Sequence, residues 1–304
     1  MAEAKVTSEN GVVSEEITSQ QANLIKHDSF FKKFSKHKLA TISFFILLIE
    51  VLIVVFAPMI FDIDPYSLDV SYFAKGPNSV HLLGTDEVGR DILARMIYGG
   101  RVSLFVGIAS MAISVLIGLP LGLIAGYFRG ISETLLMRCV DVFQSFPAII
   151  MILVLVAIFG PSISTVTIVI GVMGWVQPAK LIYGATLSVS DKEYIESARS
   201  IGYGNTKILF TQVLPNVVSP LWINMAFRVS RSMIMESSLS FLGAGVQPPQ
   251  ASWGNIIYAA QNNLVLTTKP WIWVPPGIAL VITIIAINLI GEGIRDALDP
   301  KMKR

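Results

Sequence analysis

Apolar residues in this chain come in long unbroken runs, with no short alternation of the kind that marks sheets. Residues 39–61 carry a single charge, Glu50, and residues 102–128 carry none. Residues 142–179 are also uncharged, but Gly160 and Pro161 interrupt them, so the run reads as two helices joined by a tight turn. Residues 270–291 are uncharged, and residues 217–243 are apolar apart from Arg228, Arg231 and Glu236. About 20 apolar residues in a helix cross a bilayer core of about 30 Å, and only a helix or closed barrel satisfies its backbone there. The pattern predicts an all-α, polytopic membrane protein with six transmembrane helices, at about 39–61, 102–128, 142–159, 162–179, 217–243 and 270–291.

Composition agrees with that pattern. Of 304 residues, 53% are hydrophobic and 14% charged, against about 25% charged in soluble domains, which excludes an ordinary water-soluble enzyme. The net charge of +2 gives no reason to expect nucleic acid as a partner. One cysteine, Cys139, and three scattered histidines, His27, His37 and His81, leave neither an intrachain disulfide nor a metal site in view. Basic residues near span ends stay in the cytoplasm. Placing 26–38, 129–141, 180–207 and 292–304 on one side gathers fifteen of them there, against five on the other. Both termini are therefore expected in the cytoplasm.

Residues 1–38 read as a cytoplasmic tail without a cleavable signal. The tail ends in a stretch where Phe30, Phe31 and Phe34 alternate with lysines, a pattern that suits either a helix lying in the lipid interface or a plain basic flank. The remaining 39–304 form the membrane domain, with a cytoplasmic loop at 183–216.

That loop is unusually patterned. Ser190 and Glu193 have the spacing of a capping box, Gly202 offers a helix stop, Asn205 a second cap, and Pro215 a limit on how the second helix runs into the next span. Tyr194, Ala198 and Ile201 fall at i, i+4 and i+7, an apolar stripe on a helix outside the membrane, which something should cover. Glu50, Arg228, Arg231 and Glu236 lie inside apolar spans and must face protein or water. Arg228 or Arg231 meeting a carboxylate in a translocation path, with Glu236 beside it, is one reading; a structural pair with a neighbouring helix or subunit is the other. Ser110, Ser114, Gly118, Gly122 and Gly126 recur every fourth residue and give one helix edge almost no bulk. The outward stretch 62–96 holds six acidic and three basic residues. Asp86, Arg90 and Asp91 within it suit an outer gate or docking rim, or a local turn held by salt bridges.

Several segments resemble one family. Glu196-Ser197-Ala198, then Gly202, then Leu214-Pro215 resemble the EAA loop of ATP-binding-cassette importer permeases. His81 through Asp91 with Arg95, Gly99, Arg101 and Ser103 are similar to the C-type membrane subunit of dipeptide and oligopeptide importers. So are Glu236 through Gly245, Trp253-Gly254, and Gly291 through Pro300. The resemblance covers residue 38 to the end. It implies an ABC importer type I permease fold in a bacterial or archaeal cytoplasmic membrane, with membrane lipid around it. Its implied partners are a second, B-type permease subunit, two ATP-binding subunits and an extracytoplasmic peptide-binding protein. Tyr194, Glu196, Ala198, Ile201 and Gly202 would couple the chain to the ATPases. Related subunits also serve nickel, glutathione and antimicrobial peptides.

No Gly-x-x-x-x-Gly-Lys-Ser/Thr motif is present to cradle phosphates, and no nucleophile, base or carboxylate pair stands at catalytic spacing. The chain is thus expected to bind no cofactor and to catalyse nothing, with ATP and Mg handled by partner subunits. A proton-coupled secondary transporter using Glu50 and Glu236 is the alternative from another class, and it leaves the patterned loop unexplained.

Overall fold

The computed structural model describes residues 30–61 and 64–298. Most of the tail expected over 1–38 and the Asp299-Pro300 end of the last motif lie outside the described residues. Among the described residues there is no β-strand, only a single antiparallel bridge between Thr85 and Asp91.

A short helix, α1 (Phe30–Lys36), leads into α2 (Lys38–Ile60). The His37 ring nitrogen accepts from the Ala40 N–H and so caps the start of α2. Pro58 inside α2 has no N–H to give the Val54 carbonyl. Arg101 supplies the missing donor, its Nε 2.7 Å from Val54 O, and its Nη2 lies 2.7 Å from Val55 O. Most of α2 presents Leu39, Ile42, Phe45, Ile49, Leu52 and Phe56 outward, as a lipid-facing helix should.

The central element is α3 (Ile92–Phe128), whose 37 residues make it about 55 Å long and able to project beyond a bilayer core. Its helix starts ten residues before the expected span because Asp91 caps it, accepting from the Ala94 N–H at 2.8 Å. The run at 142–159 is not one straight helix. Instead α4 (Gly130–Gln144) and α5 (Ala148–Phe159) meet at 84° with Pro147 at the break, and α5 alone, 12 residues long, is too short to cross. Gly160, at φ +84°, turns the chain, and Ser162 caps α6 (Ile163–Met173) by accepting from the Thr165 N–H.

After Gly174, α7 (Val176–Ser190) continues the direction of α6, and together they make one 28-residue apolar stretch. The loop expected from residue 183 therefore spends its first eight residues inside α7. Beyond it come α8 (Glu193–Ser200), α9 (Asn205–Ile208), a π turn (Leu209–Val213), α10 (Leu214–Val217) and α11 (Ser219–Phe241), with a 57° bend before α11. Two short helices, α12 (Trp253–Ile257) and α13 (Asn263–Thr268), precede the last, α14 (Pro270–Leu298). Among the described residues, four helical stretches are long and apolar enough to cross a membrane, and the two bent pairs raise the number to as many as six.

Packing is set by the small-residue edge of α3. A Cβ on Gly118 would stand 2.6 Å from the Trp175 carbonyl oxygen, one on Gly122 2.5 Å from that of Ala179, and one on Gly126 2.6 Å from the Thr186 side chain. Only glycine lets α7 lie this close. Higher on the same edge, the hydroxyls of Ser110 and Ser114 donate to the α6 carbonyls of Thr167 and Gly171 at 2.9 and 2.8 Å. The edge thus holds α6 and α7 along the C-terminal half of α3.

Candidate functional site

The bracket between α7 and α11 is a separately folded piece anchored on the ends of the long helices. Helix α8 stops at Gly202, whose φ of +85° is left-handed. The Tyr203 N–H reaches back to the Ala198 carbonyl and the Gly202 N–H to that of Arg199, at 3.1 and 3.0 Å, the two bonds of a Schellman stop. Apart from its chain neighbours, no described residue comes within 4 Å of where a Gly202 Cβ would sit, so backbone conformation and not space demands glycine there. The caps differ from expectation. Ser190 is the last residue of α7, not the start of α8, and Lys192 precedes α8 with no side-chain cap. Asn205 opens α9 but does not cap it; its Oδ1 accepts from the Tyr127 hydroxyl at 3.1 Å, tying the bracket to the end of α3.

The apolar stripe is also redistributed. Ile195 and Ala198 face inward and join Leu123, Tyr127, Ile182, Ile208, Leu209 and Val213 in one buried cluster. Tyr194 and Ile201 point outward and are 43% and 70% exposed, and Glu196 is exposed beside them. Because α8 ends at Ser200, Ile201 falls outside the helix and the i+7 partner of the expected stripe is lost. The bracket therefore has a buried face welded to α3 and α7 and an open face carrying Tyr194, Glu196 and Ile201. Arg199 stacks over the Tyr127 ring at 5.3 Å, and Arg129, between α3 and α4, pairs with Asp191 in the α7–α8 turn.

Inside the membrane domain the structure separates the three residues expected along a path. Glu236 on α11 is fully buried. Its carboxylate accepts from Ser252 Oγ at 2.7 Å, Ser240 Oγ at 2.8 Å, Ser103 Oγ at 3.3 Å and Ser237 Oγ at 3.5 Å. Ser103 in turn accepts from the Trp253 N–H at 3.1 Å. Glu236 thus fastens α11 to α3 and to the segment before α12, and it lines neither cavity beside the arginines. Arg228 and Arg231 border both of those cavities, one of about 150 Å³ and one of about 300 Å³. Arg228 Nη2 lies 3.1 Å from Ser114 Oγ and 3.4 Å from the Ile170 carbonyl, against Gly174, where any side chain would collide with it. Glu50 faces α14, with the Thr283 hydroxyl 2.5 Å from its carboxylate. Glu50 and Glu236 sit on different helices with separate partners.

On the outer segment, Asp86 accepts from the backbone N–H groups of Val88 and Arg90 and from Arg90 Nε at 2.7 Å. Asp91 caps α3 and lies 2.7 Å from His81 Nδ1. Asp86, Arg90 and Asp91 are thus brought together as a turn that folds on itself.

The fold defines an all-helical multi-pass membrane protein with a helical bracket between two of its long helices. The sequence model described as "Binding-protein-dependent transport system inner membrane component" matches residues 118–304, and this chain belongs to that family. Residues 28–77 match a second model, the "N-terminal TM domain of oligopeptide transport permease C". Among curated relatives, the chain is 38% identical to the glutathione transport system permease protein GsiD of Pectobacterium atrosepticum, over 90% of this chain and 91% of that one. It is 34% identical to the dipeptide transport system permease protein DppC of Alkalihalophilus pseudofirmus, over 90% and 89%. A putative peptide permease protein of Brucella suis is 38% identical over 80% and 81%. In fold it is similar to a chain of the MetNI methionine ABC transporter, solved in inward-facing conformations. The TM-score is 0.56 at 19% identity, covering 68% of this chain and 97% of that one.

Proposed function

We propose that this chain is the C-type permease subunit of an ATP-driven importer of short peptides. It pairs with a B-type permease, takes peptide from an extracytoplasmic binding protein, and receives motion from two ATP-binding subunits that hold the ATP and Mg. It lies in the cytoplasmic membrane with both termini inside, the side on which the basic residues of its loops gather. Peptide and glutathione transport in the names of its relatives, together with the oligopeptide-permease match at the N-terminus, support the substrate class.

One observation carries the coupling part of this reading: the two-faced bracket. A partner's groove that grips Tyr194, Glu196 and Ile201 moves α8 as a unit, since the Gly202 stop fixes its end. Ile195 and Ala198 pass that movement to Leu123 and Tyr127 of α3 and Ile182 of α7 through direct packing. The peptide gains only from a difference in affinity between the outward- and inward-open states. Asp86, Arg90 and Asp91 shape the outer surface offered to the binding protein by holding its turn.

The test is reconstitution of this chain with its candidate partners into vesicles supplied with radiolabelled dipeptide. Uptake should need ATP, the ATP-binding subunits and the binding protein together. Accumulation by this chain alone, driven by a proton gradient, would overturn the reading in favour of a secondary transporter.

A further inference from the structure

Arg228 and Arg231 stand one helical turn apart on α11, three residues from each other, so their charges repel. Among the described residues neither forms an ion pair. Arg228 is steadied at one nitrogen by Ser114 and the Ile170 carbonyl, while its Nε is buried with no partner. Both arginines border two cavities of different character. The cavity of about 150 Å³ carries the amide side chains of Gln177 and Asn224; the one of about 300 Å³ is walled mainly by apolar residues such as Ile149, Ile152 and Met235. A pair of unpaired guanidinium groups in an apolar span is costly unless an anion visits it. A planar fork of donors matches a carboxylate in particular.

We infer that Arg228 and Arg231 form a binding site for the C-terminal carboxylate of the peptide in transit. Gln177 and Asn224 meet its backbone, and the apolar cavity receives a side chain. This inference rests on the peptide-import reading above and specifies which part of the substrate this subunit recognises. Arg228, held from behind by Ser114, is the fixed half of the site; Arg231, exposed, is the mobile half.

The complete importer in proteoliposomes is given radiolabelled dialanine or dialanine amide, each at a concentration shown separately to saturate the binding protein. Wild type should carry the free peptide at least about tenfold faster than the amide, the worth of one charge-assisted hydrogen bond. Arg231→Gln should bring the two rates together by slowing the free peptide alone, and Arg231→Lys, which keeps charge but loses the fork, should fall between. Equal slowing of both peptides, an unchanged ratio in Arg231→Gln, or failure of both variants to assemble would overturn the inference and make the pair structural. Absence of ATP-driven uptake of either peptide by wild type would remove the proposed function itself, and this inference with it.

Discussion

Two charged sites on the same helix, eight residues apart, are treated in opposite ways. Glu236 is enclosed by four serine hydroxyls drawn from α3, α11 and the segment before α12, so its hydrogen-bonding capacity is met within the chain. Arg228 and Arg231 are met only in part and open on two cavities. A buried polar group whose partners are all internal holds the structure together, whereas one left short of partners is open to a group from outside. The contrast separates anchor from site better than burial alone, because both regions lie within the same apolar span.

Five substitutions probe that contrast. The largest effect is expected from Glu236→Ala, which leaves the inward-turned hydroxyls of Ser103, Ser240 and Ser252 without their acceptor. A loss of about 3 kcal/mol or more is expected, read as a sharp fall in folded yield and thermal stability in detergent. Glu236→Gln keeps a carbonyl for those hydroxyls and should recover most of that loss. Near-wild-type stability of the alanine variant would make the cage incidental.

Next comes Gly122→Val. Its Cβ would press on the Ala179 carbonyl at 2.5 Å, and overpacking should cost about 1–3 kcal/mol by the same melting measurement. Arg228→Gln should change stability by less, within about 1 kcal/mol, since an unpaired charge is removed along with a hydrogen bond to Ser114. Arg231→Gln should be the mildest, within about 0.5 kcal/mol, with its consequences confined to transport. If the arginine variants proved as destabilising as Glu236→Ala, anchor and site would no longer be distinct.

The sequence was most informative where the cause is local. The turn at Gly160, the stop at Gly202 and the bare edge from Ser110 to Gly126 depend on residues close together in the chain, and each appears in the structure where its pattern lies; the apolar runs appear as helices too, except that Pro147 breaks the one over 142–159. Long-range partners were not legible. Ser103 and Ser252 lie 133 and 16 residues from Glu236, and nothing in their spacing points to it; only Ser240, at i+4 on the same helix, stands at a readable distance. The same limit explains the caps: Asn205 is taken up by Tyr127, 78 residues earlier, and Ser190 by the continuation of α7. Stripe spacing misled because it assumed α8 reached Ile201. With the helix closed at Ser200, the inward pair is Ile195 and Ala198 at i and i+3.

Transmission of ATP-driven motion through the bracket is most directly tested by the number of peptides moved per ATP hydrolysed in a reconstituted importer carrying Gly202→Asp. The substitution meets open space but strains a left-handed backbone, so the subunit should assemble while the end of α8 loses its fixed geometry. ATP hydrolysis that continues while peptide uptake falls at least about tenfold is the predicted result, equivalent to about 1.4 kcal/mol of lost coupling. An unchanged ratio of peptide to ATP in the assembled variant would contradict the account.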